Sequence, residues 1–193
     1  MSLREQKKEI AKVAIQQAAL RLFAKRGYEH TTVEQICAEA KVSPSSFFRY
    51  FKTKEAVLLY DSLDPLIMDA FRVQPPELSV IRALRNAMRT VFENLSPDKM
   101  ALEQERVNLT RTIPEAQSKM LSEMVRSIDM FADLIAERLR MSADDLAVRN
   151  LAGAIIGVGL AELCRADARP VDINSLDAFD TALAQLEKGL ILY

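Results

Sequence analysis

Helix start and stop signals follow one another so closely in residues 27–54 that this part of the chain can hold only short helices. Gly27 comes after a basic pair, an arrangement typical of a helix end. The pair Thr31-Thr32 precedes residues that can close a capping box, and Ser43-Pro44 places a serine cap before a proline at the first helical position. Because helices this short are unstable alone, they must pack against each other and against a longer neighbour.

The spacing of apolar residues predicts the order of these elements. It indicates a first helix over residues 5–26, short helices over 33–40 and 44–51, and a further helix that begins at Lys54. The whole chain of 193 residues is rich in helix formers and holds only 5 glycines. We therefore expect an all-α protein that begins with a helix-turn-helix domain, in which a longer first helix braces two short ones.

The segment Pro44–Phe51 has four aromatic residues in eight, which is too many for all of them to point inward. Phe47 and Phe51 share one face of the predicted helix, so small hydroxyls, a further ring and Arg49 lie elsewhere. A face of this composition suits the major groove of DNA, because small residues allow close approach and arginine can bond to guanine. Taken alone, the segment also fits an aromatic helix packed beneath another domain.

The charge is divided unequally along the chain, although the net charge is only −1. Residues 1–60 contain 11 lysines and arginines against 6 acids, whereas the remaining residues contain 15 against 21. A basic first third joined to an acidic remainder predicts that the first third faces a polyanion. A chance excess on a solvated surface is the alternative.

Three stretches of the chain have a definite spacing. They are Ile15-x-x-Ala18-Ala19-x-x-Leu22-Phe23-x-x-x-Gly27-Tyr28, Thr31-Thr32-Val33-x-x-Ile36-x-x-x-Ala40-x-Val42-Ser43 and Phe47-Phe48-Arg49-Tyr50-Phe51-x-x-Lys54-Glu55-x-Val57-Leu58. In this order, over residues 9 to about 69, they resemble the DNA-binding domain of the TetR family of bacterial transcriptional regulators. One departure is Phe48, where the family often has tyrosine.

The resemblance implies a TetR-like, DNA-binding domain in residues 1–60 and a larger helical domain for effector binding and dimerisation in residues 61–193. Thr32 would present its hydroxyl to a DNA phosphate, while Tyr50 and Lys54 would hold the DNA backbone. The residues that would face the groove are Ser43, Ser45, Ser46, Phe48 and Arg49. The function implied is that of a homodimeric repressor, which leaves a palindromic operator when a small molecule binds.

The second two-thirds of the chain is predicted to form long helices. The run Leu151–Ala161 is apolar on every side, so its helix must be buried on both faces, and glycines leave one side smooth enough for close helix packing. A homodimer interface built from the last two helices would use Gly153, Gly157, Leu160, Phe179, Leu183 and Leu186, as the family resemblance also implies. A core within one chain is the alternative.

Methionines are concentrated after residue 60, where they can line a cavity for an apolar or amphipathic ligand or simply fill gaps in the core. The predicted cavity wall consists of Met88, Phe92, Leu109, Met120, Met124, Ile128, Phe131 and Ile155, with Asn108 and Arg111 as polar anchors. The stretches Thr112-Ile-Pro-Glu-Ala and Ala136-Glu-Arg-Leu-x-x-Ser-Ala-Asp-Asp-Leu resemble the mycofactocin-regulator type of C-terminal domain. That resemblance implies acyl-CoA-like effectors.

The sequence lacks the motifs of other functional classes. It has no dinucleotide-binding, P-loop, HExxH or nucleophile-elbow motif and a single histidine, so we expect no catalytic residue, no metal site and no cofactor. Cys37 and Cys164 are expected to be reduced thiols, and the absence of a signal peptide or a membrane-spanning run predicts a cytoplasmic protein. A regulator without a small-molecule effector stays open as the alternative function, and a helical enzyme is the least favoured.

Overall fold

The computed structural model describes residues 3–163 and 177–189, and every regular element in these ranges is an α-helix. The predicted all-α fold is therefore confirmed. The ten helices are α1 (Leu3–Arg26), α2 (Val33–Ala40), α3 (Pro44–Tyr50), α4 (Lys54–Leu59), α5 (Asp64–Arg72), α6 (Val80–Glu93), α7 (Pro97–Thr112), α8 (Pro114–Leu139), α9 (Leu146–Leu163) and α10 (Asp177–Glu187). Within the described ranges, none of these helices has the length and apolar character needed to cross a bilayer.

The chain divides into two compact units, one made of residues 1–62 and 101–118 and the other of residues 63–100 and 119–193. The sequence predicts a single division at residue 60, whereas the structure adds residues 101–118 to the first unit. Its side chains Ile113 and Ala116 are buried in the core of the first unit, so the helix-turn-helix is completed by residues far along the chain.

The first unit is held together by an apolar core to which each of its short helices contributes. Phe47 of α3 and Val57 of α4 are fully buried there, and the free thiol Cys37 of α2 lies among the same residues. Gln16 is a buried polar residue of α1, and its amide donates to the backbone oxygens of Val57 and Tyr60 at 2.9 and 2.5 Å. This amide fixes the end of α4 against α1.

The second unit has its own core, formed by α5, α6, α8, α9 and α10. Large fully buried side chains in it include Leu84 of α6, Ile135 of α8 and Leu183 of α10. Helix α9 contributes Val148, Ala152 and Ile155 to this core, all from one side of the helix. Cys164 lies outside the described residues.

Candidate DNA-binding surface and effector cavity

The turn between α2 and α3 is set by local hydrogen bonds. Thr32 and Gln35 form a complete capping box at the start of α2. Lys41 ends α2 in the left-handed conformation, with φ 54°, and its N–H bonds back to the last turn of the helix. Ser43 then caps α3 by accepting the N–H of Ser46 at 3.2 Å. A helix-turn-helix therefore forms where the start and stop signals predict it.

The N-terminus of α2 already attracts an anion in the free protein. Hydrogen bonds from its own backbone N–H and from the Thr32 hydroxyl lower the pKa of the Glu34 carboxyl. The N-terminus of a helix favours negative charge because its first N–H groups have no partner within the helix. A DNA phosphate at Thr32 would therefore meet a carboxylate that uses the same donors.

The outward side of α3 carries a network of polar side chains. The Ser43 hydroxyl lies 2.9 Å from that of Ser45 and 3.0 Å from that of Ser46, and Arg49 Nη2 lies 3.3 Å from both the Ser46 and Tyr50 hydroxyls. The Arg49 guanidinium also lies over the Tyr50 ring, 4.9 Å from its centroid. These groups are positioned by each other, so the structure brings five of the predicted DNA-contacting residues together on one surface.

Phe48 stands on the same surface with a different character. Its side chain is 54% exposed, and its ring meets the buried Phe47 ring edge-on, with centroids 5.4 Å apart. This contact lets an apolar ring project from a helix face that is otherwise polar.

Lys54 is engaged inside the first unit. Its ammonium donates to the backbone oxygens of Tyr28 at 2.8 Å and Thr31 at 3.2 Å, and it lies 3.9 Å from the centroid of the Tyr28 ring. The Tyr28 hydroxyl in turn donates to Glu55 at 2.9 Å, and burial together with that carboxylate raises the pKa of the phenol. In the free protein, Lys54 thus fixes the loop that precedes α2, whereas the sequence predicts a contact with the DNA backbone.

The second unit contains a cavity of about 270 Å³ between α6, α7 and α10. Its apolar wall combines rings and thioethers, and its polar wall carries both signs of charge. The apolar residues are Met88, Phe92, Met100, Phe179 and Leu183, and the charged ones are Arg85, Arg89, Glu93, Asp177 and Asp180. Half of the lining residues are thus charged, and small-molecule sites use polar groups of this kind beside apolar ones to orient a ligand.

Ion pairs fix α10 against α6 beside this cavity. Arg85 contacts both carboxylate oxygens of Asp180, at 2.8 and 2.6 Å, and reaches Glu187 at 3.4 Å. The hydrogen bond from Arg85 lowers the pKa of Asp180, and that from Ser79 lowers the pKa of Glu187, in both cases against the effect of burial. Both acids are therefore ionised wherever the protein is folded near neutral pH.

Only part of the predicted cavity wall lies together. Met88 and Phe92 line the cavity, but Leu109 packs on the core of the first unit, and Ile155 is buried in the core of the second. The remaining predicted wall and anchor residues belong to α7 or α8 and do not line this cavity: Asn108, Arg111, Met120, Met124, Ile128 and Phe131. Helical spacing shows which face of a helix is buried, but it does not identify the neighbour.

The residues predicted for the dimer interface also separate into two groups. Apart from the adjoining residues and the backbone of α9 itself, no atom of the described residues lies within 4 Å of a Cβ placed at Gly153 or Gly157, so this side of α9 is open in the described part of the chain. Leu183, by contrast, is fully buried within one chain, and Phe179 lines the cavity. Leu186 packs on the core of the second unit, and Leu160 is half-buried. The structure thus differs from the prediction at Leu183, because α10 turns this residue towards α6 and α9.

The charged cavity residues were missed by the sequence analysis, although a pattern for them was present. Arg82, Arg85 and Arg89 recur at helical spacing on α6, and Asp180 and Glu187 recur two turns apart on α10. Complementary stripes of this kind predict that two helices pair. Among the described residues, no group of three or more His, Cys, Asp or Glu side chains is arranged to hold a metal ion.

Two family models match successive parts of the chain. Residues 15–60 match the model for bacterial regulatory proteins of the tetR family, and residues 78–191 match the MftR C-terminal domain. The chain is 30% identical to the HTH-type transcriptional regulator TcmR of Streptomyces glaucescens, over 97% of this chain and 88% of that protein.

Solved structures show the same fold at lower identity. A TetR-family regulator from Syntrophomonas wolfei aligns with a TM-score of 0.57 and 17% identity, over 94% of this chain and 97% of that one. FadR of Thermus thermophilus, a TetR-family repressor solved with lauroyl-CoA, aligns with a TM-score of 0.52 and 22% identity, over 94% and 96% of the two chains. The helix-turn-helix, the family matches over both units and the full-length likeness to TcmR lead to one conclusion: this chain is a transcriptional regulator of the TetR family, not an enzyme.

Proposed function

We propose that the protein is a homodimeric repressor that binds a palindromic operator through α3 and leaves it when an apolar or amphipathic small molecule occupies the cavity beside α6. The observation that carries this proposal is the presence, in one chain, of a polar, arginine-bearing helix face and a cavity of about 270 Å³ in the second unit. FadR, which shares the fold, is a repressor solved with lauroyl-CoA, and this supports an effector with a long apolar part.

Helix α7 offers a route from the cavity to the DNA-binding unit. Its residue Met100 lines the cavity, and Arg106, six residues later on the same helix, bonds to Asp61 at 2.6 Å and to the Leu58 carbonyl at 3.4 Å. A ligand that shifts α7 would therefore move the residues that hold the end of α4, and it need only bind better to the dimer that does not fit DNA.

DNA binding is tested by selecting duplexes from a random library and measuring their affinity at several salt concentrations. We expect a palindromic sequence, with affinity about 10³–10⁵ times weaker at 200 mM than at 50 mM salt if six to ten phosphates are contacted. Arg49→Ala should change the selected sequence, because a base contact is lost. Arg126→Ala, which removes an exposed cation from α8, is the control and should leave the selected sequence and the affinity unchanged. Equal binding to selected and random duplexes would contradict operator recognition.

Effector control is tested with lauroyl-CoA as the probe, titrated with and without operator duplex. We expect the operator to weaken lauroyl-CoA binding and lauroyl-CoA to weaken operator binding by the same factor, about tenfold for a coupling of about 1.4 kcal/mol. Met100→Trp should abolish the coupling by filling the cavity, whereas Met130→Trp on α8, outside the cavity wall, should retain it. Equal affinities for lauroyl-CoA in both titrations would reject this compound as the effector and favour a regulator under other control.

A further inference from the structure

We propose that Phe48 determines part of the operator sequence by packing its ring against the C5-methyl group of a thymine. This inference rests on the DNA binding proposed above and names the base edge that one residue recognises. Phe48 is the fifth residue of α3, and of the 8 phenylalanines, all in the described ranges, it is the one with an exposed side chain.

Position, rather than exposure, points to a ligand for this ring. A single exposed apolar residue on a protein surface needs no explanation. Pro44 and Ser45 lie four and three residues before Phe48, and both are exposed, so the three side chains share one strip of α3. Arg49 follows directly in the sequence, and the hydroxyl network that it joins includes Ser45 of this strip. The ring thus stands among the groups that would approach the base edges.

The chemistry of the ring restricts what it can recognise. Phenylalanine has no donor or acceptor, so it cannot bond to a phosphate or to the polar atoms of a base edge. In the major groove the apolar group that a base presents is the thymine methyl, which side chains of this kind contact. Burying both surfaces removes apolar area from water and discriminates thymine from the other bases.

The ring is also held in place before DNA arrives. Its edge-on contact with Phe47, at an interplanar angle of 83°, ties it to a side chain that is fully buried in the first core. A side chain positioned in this way loses little conformational freedom on binding, so most of the gain from the methyl contact is retained.

The test uses duplexes of the selected operator in which each thymine in turn is replaced by deoxyuridine, symmetrically in both half-sites. Deoxyuridine keeps every hydrogen-bonding group of thymine and lacks only the methyl. We expect one position at which wild-type affinity falls about fourfold for each half-site, or about 15-fold for the symmetric duplex, which corresponds to about 0.8 kcal/mol for each methyl group. A 5-bromouracil at that position should restore binding, since bromine is close to a methyl group in size.

Variants connect this effect to Phe48. Phe48→Ala should bind the thymine and deoxyuridine duplexes within twofold of each other, and Phe48→Tyr, which keeps the ring, should still distinguish them. Ser45→Ala, on the same strip, is the matched control and should retain the full 15-fold ratio. Because Phe48 and Ser45 are both exposed, the melting curves of all three variants should stay close to that of the wild type.

The outcomes separate this assignment from the DNA binding on which it rests. Specific binding with no loss at any deoxyuridine position would overturn the role of Phe48 alone. An equal loss in wild type and Phe48→Ala would do the same, because another group or the shape of the duplex would then sense the methyl. Failure to select any duplex would overturn operator recognition and the Phe48 assignment together.

Discussion

From the sequence, the ammonium group of Lys54 is expected to contact DNA. In the structure, its contacts lie within its own domain. Its ammonium bonds to two carbonyls in the loop before α2 and lies over the Tyr28 ring. The sequence predicted the position of Lys54 correctly, at the first residue of α4, because the Thr53 cap is a local feature. It could not predict these partners, since Tyr28 and Thr31 come more than twenty residues earlier.

We expect Lys54→Met to lower the free energy of unfolding by about 1.5–3 kcal/mol, because charged hydrogen bonds of this kind are lost. The affinity of this variant for operator and for random duplexes should fall by similar factors. The dependence of this affinity on salt concentration should not change. Lys52→Met removes the same charge from an exposed position nearby and should leave stability within about 0.5 kcal/mol of wild type. Denaturant unfolding measures the stability of each variant, and salt titrations measure how its DNA affinity depends on salt. A salt slope lower by about one for Lys54→Met would instead assign it a phosphate contact.

At the scale of elements, α7 carries a buried ion cluster that joins it to the end of α4. Glu103 is 5% exposed and accepts from Arg106 at 2.6 Å and from the Ser62 hydroxyl at 2.8 Å. Arg106 also bonds to Asp61 at 2.6 Å. Replacing one member of such a cluster costs more than replacing two, because the remaining charge is left buried.

Arg106→Met should therefore destabilise the protein by about 3–5 kcal/mol, while the double variant Arg106→Met/Glu103→Met should recover most of that loss. Urea unfolding of the two single variants and the double variant forms a complete cycle. Additive effects would show that the two side chains do not depend on each other.

The pairing of α6 with α10 is sensitive to acid. The pKa values of Asp180 and Glu187 are lowered in the folded protein, so their stabilising contribution is fully present above their unfolded values, near 4, and is lost as the pH falls through the folded ones. We expect Asp180→Asn to be about 1–3 kcal/mol less stable than wild type at pH 7, with the difference shrinking below about pH 4. Thermal unfolding across pH 3–7 measures this difference. A gap that stays constant with pH would exclude ionisation of Asp180 as its cause.

The elements themselves were largely predictable, whereas their partners were not. Serine, threonine and proline at the starts of α2, α3 and α4 act on the adjacent backbone, so the sequence alone locates those helices. The buried faces of α7 and α10 depend on contacts with distant residues, and Leu109 and Leu183 accordingly lie in cores that their spacing could not identify.

At the scale of the whole molecule, we propose that the open side of α9 is the surface that contacts a second copy. Gly153 and Gly157 stand one turn apart, and no neighbouring side chain among the described residues lies within 4 Å of their Cβ positions, whereas the Cβ position of Gly159 lies 3.4 Å from the Phe179 ring of the same chain. Small residues on an open helix face allow another helix to approach closely, as a two-fold interface requires.

Gly157→Leu should fold as the wild type does but weaken the dimer at least tenfold, because a large side chain would enter the helix contact. Light scattering after size exclusion should show the wild type near twice 21.7 kDa and the variant shifted towards one copy at micromolar concentration. Thr90→Leu, at an exposed position on α6, is the control and should remain dimeric. A monomeric wild type would refute the arrangement.

Residues 101–118, which complete the first core, bear on how this regulator could be rebuilt with a different operator preference. If the first sixty residues were exchanged for those of a relative, Ile113 and Ala116 would pack against a different set of side chains. Volume mismatches in a close-packed interior typically cost 1–3 kcal/mol or more. The DNA-binding module is therefore discontinuous along the chain. A functional hybrid has to carry the donor's residues that correspond to 101–118 together with its helix-turn-helix.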